Sequence, residues 1–127
     1  MAAAPQFAVT PRIGAVSIAT ADSSYTAPTN VGTLLTGAST GTRVNEIAIK
    51  CAATSAAAVV RIFLYDGTTY WLFDELVIGA ITGSSTVAQF RTSVRYDNLV
   101  LPSASWSVRV TTSVSQATHV TAFGADL

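Results

Sequence analysis

The chain has 127 residues, half of them hydrophobic, and seven basic residues balance seven acidic ones for a formal net charge of zero. A chain of this length suits one domain that buries roughly 68% of its unfolded surface, yet its 11% of charged residues lies far below the roughly 25% usual for soluble domains. The charge balance argues against nucleic acid and anionic membranes as partners, no apolar run reaches the roughly 20 residues of a membrane helix, and a single cysteine forbids an intrachain disulfide.

Residues 1–13 read as an extended arm ahead of one domain at 14–127. Pro5 and Pro11 fix φ and disfavour helix at the residues before them. Phe7, Val9 and Ile13 give the arm apolar teeth at alternate positions. It is either a frayed end or an arm that packs into a groove of a neighbouring subunit. Met1 to Pro5 lacks a basic and then an apolar region, so it is not read as a signal peptide.

The first strand is expected at 15–20, with Val16 and Ile18 inward. Residues 21–30 have the Asp, Ser, Pro and Asn of a loop. A short strand at 31–36 ends in a turn at 37–41. The strand at 43–52 changes alternation phase between Val44 and Ile47, the mark of a bulge or of cover on both faces. Residues 58–65 (AVVRIFLY) are the strongest strand signal, followed by Asp66-Gly67, the pair favoured in a type I′ hairpin.

The return strand, 68–78, reads as apolar on both faces. Tyr70, Leu72, Leu76 and Ile78 fall on one, Trp71, Phe73 and Val77 on the other. Such a strand is expected inside a sandwich or against another subunit. Two cleanly alternating strands follow. At 86–96 Ala88, Phe90, Val94 and Tyr96 face the core, and Gln89, Arg91, Ser93 and Arg95 face water. At 105–112 Trp106, Val108 and Val110 point in, and Ser107, Arg109 and Thr111 point out. A short edge at 99–101 lies between them, and the last strand is near 118–122. About eight short strands and no helix indicate an all-β antiparallel sandwich, jelly-roll-like, with an immunoglobulin-like topology left open.

Catalytic chemistry is scarce. His119, Cys51 and Lys50 are the sole residues of their types. No nucleophile elbow accompanies His119, and Asp74 and Glu75 point to opposite faces of a strand, which does not suit a glycosidase pair. No metal-ligand spacing or phosphate loop is present. Cys51 reads as a small buried hydrophobe. The aromatics Tyr65, Tyr70, Trp71 and Phe73 read as core, or as a sticky platform if exposed. Arg91, Arg95 and Arg109 read as solvated, paired across strands, or engaged between subunits. The residues thus indicate neither an enzyme nor a cofactor site, and the interface candidates are Pro5, Phe7, Val9, Pro11, Tyr70, Trp71, Arg91 and Arg95.

Two stretches carry a resemblance: residues 41–75 (GTRVNEIAIKCAATSAAAVVRIFLYDGTTYWLFDE) and 99–127 (LVLPSASWSVRVTTSVSQATHVTAFGADL). A GTRV strand, a VVRIFLYDGTTY hairpin, an LVLP step and a VTAFGADL end resemble small virion structural proteins of tailed bacteriophages and prophages. The resemblance implies a capsid decoration (cement) protein on the head exterior, assembled in the host bacterial cytoplasm. It implies the major capsid protein or other virion proteins as partners, and a homo-oligomer, with a trimer favoured. It brings no catalytic or ligand residue. The alternatives are a tail-fibre or baseplate module for host or glycan recognition, which would display Tyr70 and Trp71, and a ring-forming head-completion or tail-tube component.

Overall fold

The computed structural model describes residues 10–127. Nine strands and no helix make up this part of the chain. They are β1 (Thr10–Ile18), β2 (Gly32–Thr36), β3 (Thr42–Cys51), β4 (Ala58–Tyr65), β5 (Tyr70–Ile78), β6 (Arg91–Arg95), β7 (Val100–Leu101), β8 (Ser107–Thr112) and β9 (Thr118–Asp126). Two antiparallel sheets form. The front sheet has the order β1-β9-β3-β6, with β7 extending β3, and the back sheet has the order β2-β8-β4-β5.

Every successive connection crosses between sheets except β4–β5 and β6–β7. With the two-residue β7 set aside, this is the eight-stranded double Greek key of a jelly roll. The expected jelly roll is therefore present, and the immunoglobulin-like alternative is excluded by strand order. The core lies between the sheets. Val44, Ile47, Ile49, Val60, Ile62, Val108, Val110 and Val120 are fully buried there, with Cys51 among them. Their spacing of two along each strand is what buries one face of each sheet.

The phase change expected in β3 is a bulge, with the β3–β9 register shifting between Val44 and Glu46. Other expectations need correction. β1 begins at Thr10, so Pro11 and Ile13 belong to the strand, opposite Ala125 and Phe123. Proline is tolerated there because β1 is an edge strand, where one row of amides has no partner to serve. Pro5, Phe7 and Val9 lie outside the described residues. β6 is confined to Arg91–Arg95, and residues 86–90 run as a loop. β9 runs on to Asp126, where Arg12 of β1 closes it with a 2.9 Å ion pair.

The β4–β5 turn is not a two-residue type I′ hairpin. Tyr65 pairs with Tyr70, which leaves residues 66–69 as a four-residue loop. Gly67 alone in it has positive φ, at 105°. The Asp66 carboxylate sets this loop by accepting bonds from Thr68 N at 2.9 Å and Thr69 N at 2.7 Å. An aspartate that folds over its own turn in this way removes the need for φ > 0 at the first position.

Candidate interaction surfaces

Three surfaces carry the unusual side chains. The first is the lateral side of the sandwich where β5 and β6 are the edge strands of their sheets. No strand among the described residues pairs with the outer edge of β5. Trp71, Leu72, Phe73 and Val77, all on this strand, are 53%, 40%, 41% and 71% exposed. The cover expected from within a sandwich is lacking on this part of β5 among the described residues, because β5 is an edge and because it bulges. Its register shifts at Phe73, so Leu72 lies opposite Phe63 while Asp74 lies opposite Ile62. That extra residue moves Glu75 and Val77 to the outer face and turns Asp74 inward, towards the mouth between the sheets.

There the Tyr96 hydroxyl donates to Asp74 Oδ2 at 2.8 Å, and the Phe73 ring lies 5.2 Å from that of Tyr96. Burial first, then the hydrogen bond to Asp74 and the charge on that carboxylate, holds the Tyr96 hydroxyl protonated well above the usual tyrosine range. These contacts tie the end of β6 to the middle of β5. Arg91 and Arg95 are exposed on β6, and neither is in an ion pair among the described residues.

The second surface is the outer face of the front sheet. Register aligns its residues in cross-strand rows: Ile13–Phe123–Glu46–Arg95, Ala15–Thr121–Ala48–Ser93 and Ser17–His119–Lys50–Arg91. With Arg43, four of the seven basic residues sit on this face, and Glu46 is the one acid in the rows. A neutral chain is thereby folded into a polarised one. Lys50 and Arg43 bond to the carbonyls of Gln89 and Asp97, at 2.8 and 2.7 Å, rather than to carboxylates.

The third is the outer face of the back sheet, expected to be wet along β8. It is instead roofed. Ser107 and Thr111 are buried, and so is Arg61. The Arg61 guanidinium lies 4.4 Å from the Tyr25 ring centroid and its Nε donates to Glu75 at 3.1 Å. Arg109 stacks 4.2 Å from the Tyr65 ring and donates to the Tyr70 hydroxyl at 3.1 Å. Beneath them Phe63 is wholly buried, edge-on to Tyr70 at 5.8 Å. Stacked guanidinium groups cover apolar rings while keeping their charge near water. Arg61 Nη1 and Thr111 Oγ1, on directly opposed residues, have no hydrogen-bond partner among the described residues.

Trp71 is held out by its turn: its indole Nε1 donates to Asp66 Oδ2 at 3.1 Å. The amides of Thr69 and then Thr68, with this indole next, hold the Asp66 carboxyl well below the usual range. In the 21–30 loop the amides of Asn30 and then Ser24 lower the pKa of the Asp22 carboxyl from its usual value. A carboxyl whose folded pKa is lowered contributes stability above its unfolded value, and that contribution fades as pH falls. Unfolding by urea is thus expected to need less denaturant progressively below about pH 5. Asp66→Asn and Asp22→Asn, which cannot ionise, should each flatten this decline. An unchanged slope in both would refute the assignment.

The predicted candidates therefore separate. Trp71 lies on β5, and Arg91 and Arg95 lie on β6, the edge strand of the other sheet on the same side. Tyr70 is half-buried in the roof over Phe63, and Pro11 sits on β1 at the opposite side of the sandwich. Sequence reasoning offers Phe73 as core or, if exposed, as a platform, and misses Leu72 and Val77 as surface residues, since their apolar character alone signals burial. Among the described residues no group of three or more His, Cys, Asp or Glu is placed to hold a metal ion, and His119 is an exposed member of a cationic row.

No family model matches the chain, and no curated protein matches it. Among solved structures it is similar to a chain of the T13 viral particle of infectious bursal disease virus, at 18% identity and a TM-score of 0.37. A structure of the Gx strain of that virus gives 14% identity and a TM-score of 0.32. Each similarity covers 99% of this chain, which spans 34% and 36% of the length of those two.

Proposed function

We propose that this chain is a virion structural protein, a decoration protein that binds the outside of a tailed-phage head through the major capsid protein. The observation that carries this reading is the jelly-roll strand order, formed by the segments that resemble such proteins. Residues 41–75 and 99–127 supply β3, β4, β7, β8, β9 and most of β5, and so the central strands of both sheets. The exposed apolar strand and the cationic face are surfaces for contact, and they lack the clustered groups of a reaction centre. Many weak contacts on a repeating shell would act together through avidity. Copies of the chain would act as a homo-oligomer.

Quantitative mass spectrometry of purified virions tests this. Copy number in the hundreds supports the shell, and a dozen or fewer would move the protein to the tail or portal vertex. A deletion of residues 1–9 keeps all of β1 and is expected to weaken capsid attachment while leaving thermal unfolding unchanged. Deletion through residue 12 also removes Arg12 and its ion pair with Asp126, so it tests folding rather than attachment.

The exposed indole of Trp71 beside Phe73 favours one second reading, a host-recognition module that stacks a sugar ring. A glycan array without hits would discard it.

A further inference from the structure

We propose that the β5–β6 side of the sandwich is a self-association surface whose partner is a second copy of this chain, joined about a two-fold axis parallel to the strands. The inference concerns contacts between copies and stands whether or not the chain belongs to a virion.

The side presents two unlike strips. On β5 are the acids Asp74 and Glu75 with exposed Leu72, Phe73 and Val77. On β6, one sheet away, are Arg91 and Arg95. The strips are in step along the strand direction. Tyr96, next to Arg95, bonds to Asp74, and a side chain at Gly79 would meet Phe90, next to Arg91, at 3.3 Å. Arg95 is therefore level with Asp74 and Glu75, and Arg91 is level with Val77 and Ile78.

Two symmetric arrangements can press this side against its own copy. An axis along the direction of sheet stacking would set β5 on β5 and β6 on β6, continuing both sheets across the seam. Acids could then approach only acids or neutral residues, arginines only arginines or neutral residues, and no charge would find its complement. An axis along the strands keeps each residue at its own height and exchanges the two sheets. Then Glu75 of each copy, on the outer face of β5, meets the partner's Arg95, and Val77 meets the methylene stem of the partner's Arg91, while Asp74 stays bonded to Tyr96 within its own copy. Every contact occurs twice, as a two-fold interface requires. Charge complementarity thus selects the second arrangement.

Size sets the strength. Nine residues of β5 at ~3.3 Å rise, across two sheets ~10 Å apart, give a face of roughly 300 Å² per copy. Stable complexes bury about 800 Å² per partner. Association should accordingly be weak and concentration-dependent, with Kd in the high micromolar range.

Sedimentation velocity and light scattering on the full chain, from micromolar to about 1 mM, should show a monomer passing to a dimer, weakened by salt. Arg95→Glu is expected to raise Kd about 100-fold, and Glu75→Arg to do the same. Mixed one to one, the two variants should form a heterodimer visible by native mass spectrometry. In that pair the introduced arginine of one copy meets the introduced glutamate of the other, while the native Glu75–Arg95 contact forms on the opposite side of the axis. Arg95 makes no ion pair within the chain among the described residues, but Arg95→Glu faces Glu46 across the β3–β6 register and should melt slightly lower, whereas Arg95→Ala should melt like the parent and still weaken the dimer. Glu75→Arg loses its bond to Arg61, and if it does not fold, the Arg95→Glu and salt results decide alone. A monomer at every concentration, a trimer, an Arg95→Glu protein as dimeric as the parent, or no heterodimer from two folded variants would overturn the proposal.

Discussion

Phe63→Ala is expected to lower unfolding free energy by about 3–5 kcal/mol, the range for truncating a buried phenylalanine. Phe63 is wholly buried, yet it is not part of the cluster between the sheets. It alternates with Ile62 and Leu64, which face the core, and so lies on the outer face of β4. Leu72 and Arg109 oppose it on the neighbouring strands, and Tyr70 sits edge-on above it. Alanine would leave the tyrosine and the stacked guanidinium over a void. Phe63→Leu keeps most of the volume and should cost under about 1.5 kcal/mol. Urea unfolding measures both. A loss below about 1 kcal/mol for alanine, no more than the average of point substitutions, would mean the roof re-packs freely and is not a second apolar layer.

Gly124→Ala should cost about 2–3 kcal/mol, at the upper end for overpacking, although it adds one methyl group. Gly124 lies on β9 between Arg12 on β1 and Val44 on β3, beside the β3 bulge. A Cβ built there overlaps the Arg43 carbonyl oxygen and crowds its carbon. Both are backbone atoms of a central strand, so no side-chain rotation relieves the clash. The backbone angle at Gly124 is not among the positive ones, which makes space rather than conformational freedom the reason for glycine. Thermal and urea unfolding of the variant check the cost. Parental stability would show that β3 and β9 can part at the bulge without loss.

Much of the fold is legible locally. Alternation places the inward Val and Ile residues of β3, β4 and β8, and the break in phase at Val44 locates a bulge before any partner strand is known. The type of the turn at Asp66 is not legible, because the Asp-Gly pair is compatible with several loops and the carboxylate's reach to Thr68, Thr69 and Trp71 decides among them. The interaction surfaces are less legible still. Trp71, Leu72, Phe73 and Val77 resemble core residues in composition, and their exposure follows from β5 being last in its sheet. Arg43, Lys50, Arg91 and Arg95 are scattered in the chain, and non-local registers collect them on one face. Burial of Thr111 and Ser107 depends on a roof whose parts come from β4, β5 and the 21–30 loop. Periodicity reports which residues share a side of a strand. It does not report what lies over that side.

The pairing of β1 with β9 ties the earliest described strand to the latest. Thr10 finds Asp126, its opposite residue, at the far end of the chain. At ribosomal speeds of about 5–20 residues per second, the two emerge on the order of ten seconds apart. A β domain with such long-range pairing folds in milliseconds to seconds once whole. Synthesis, not conformational search, would then set the pace of maturation. Throughout that interval β3 and the adjoining edge of β1 lack the strand that belongs between them, and nascent chains on one polysome carry the same unfilled slot. Pulse-labelled chains released early by puromycin should therefore be captured by a β9 peptide, whereas completed chains should not.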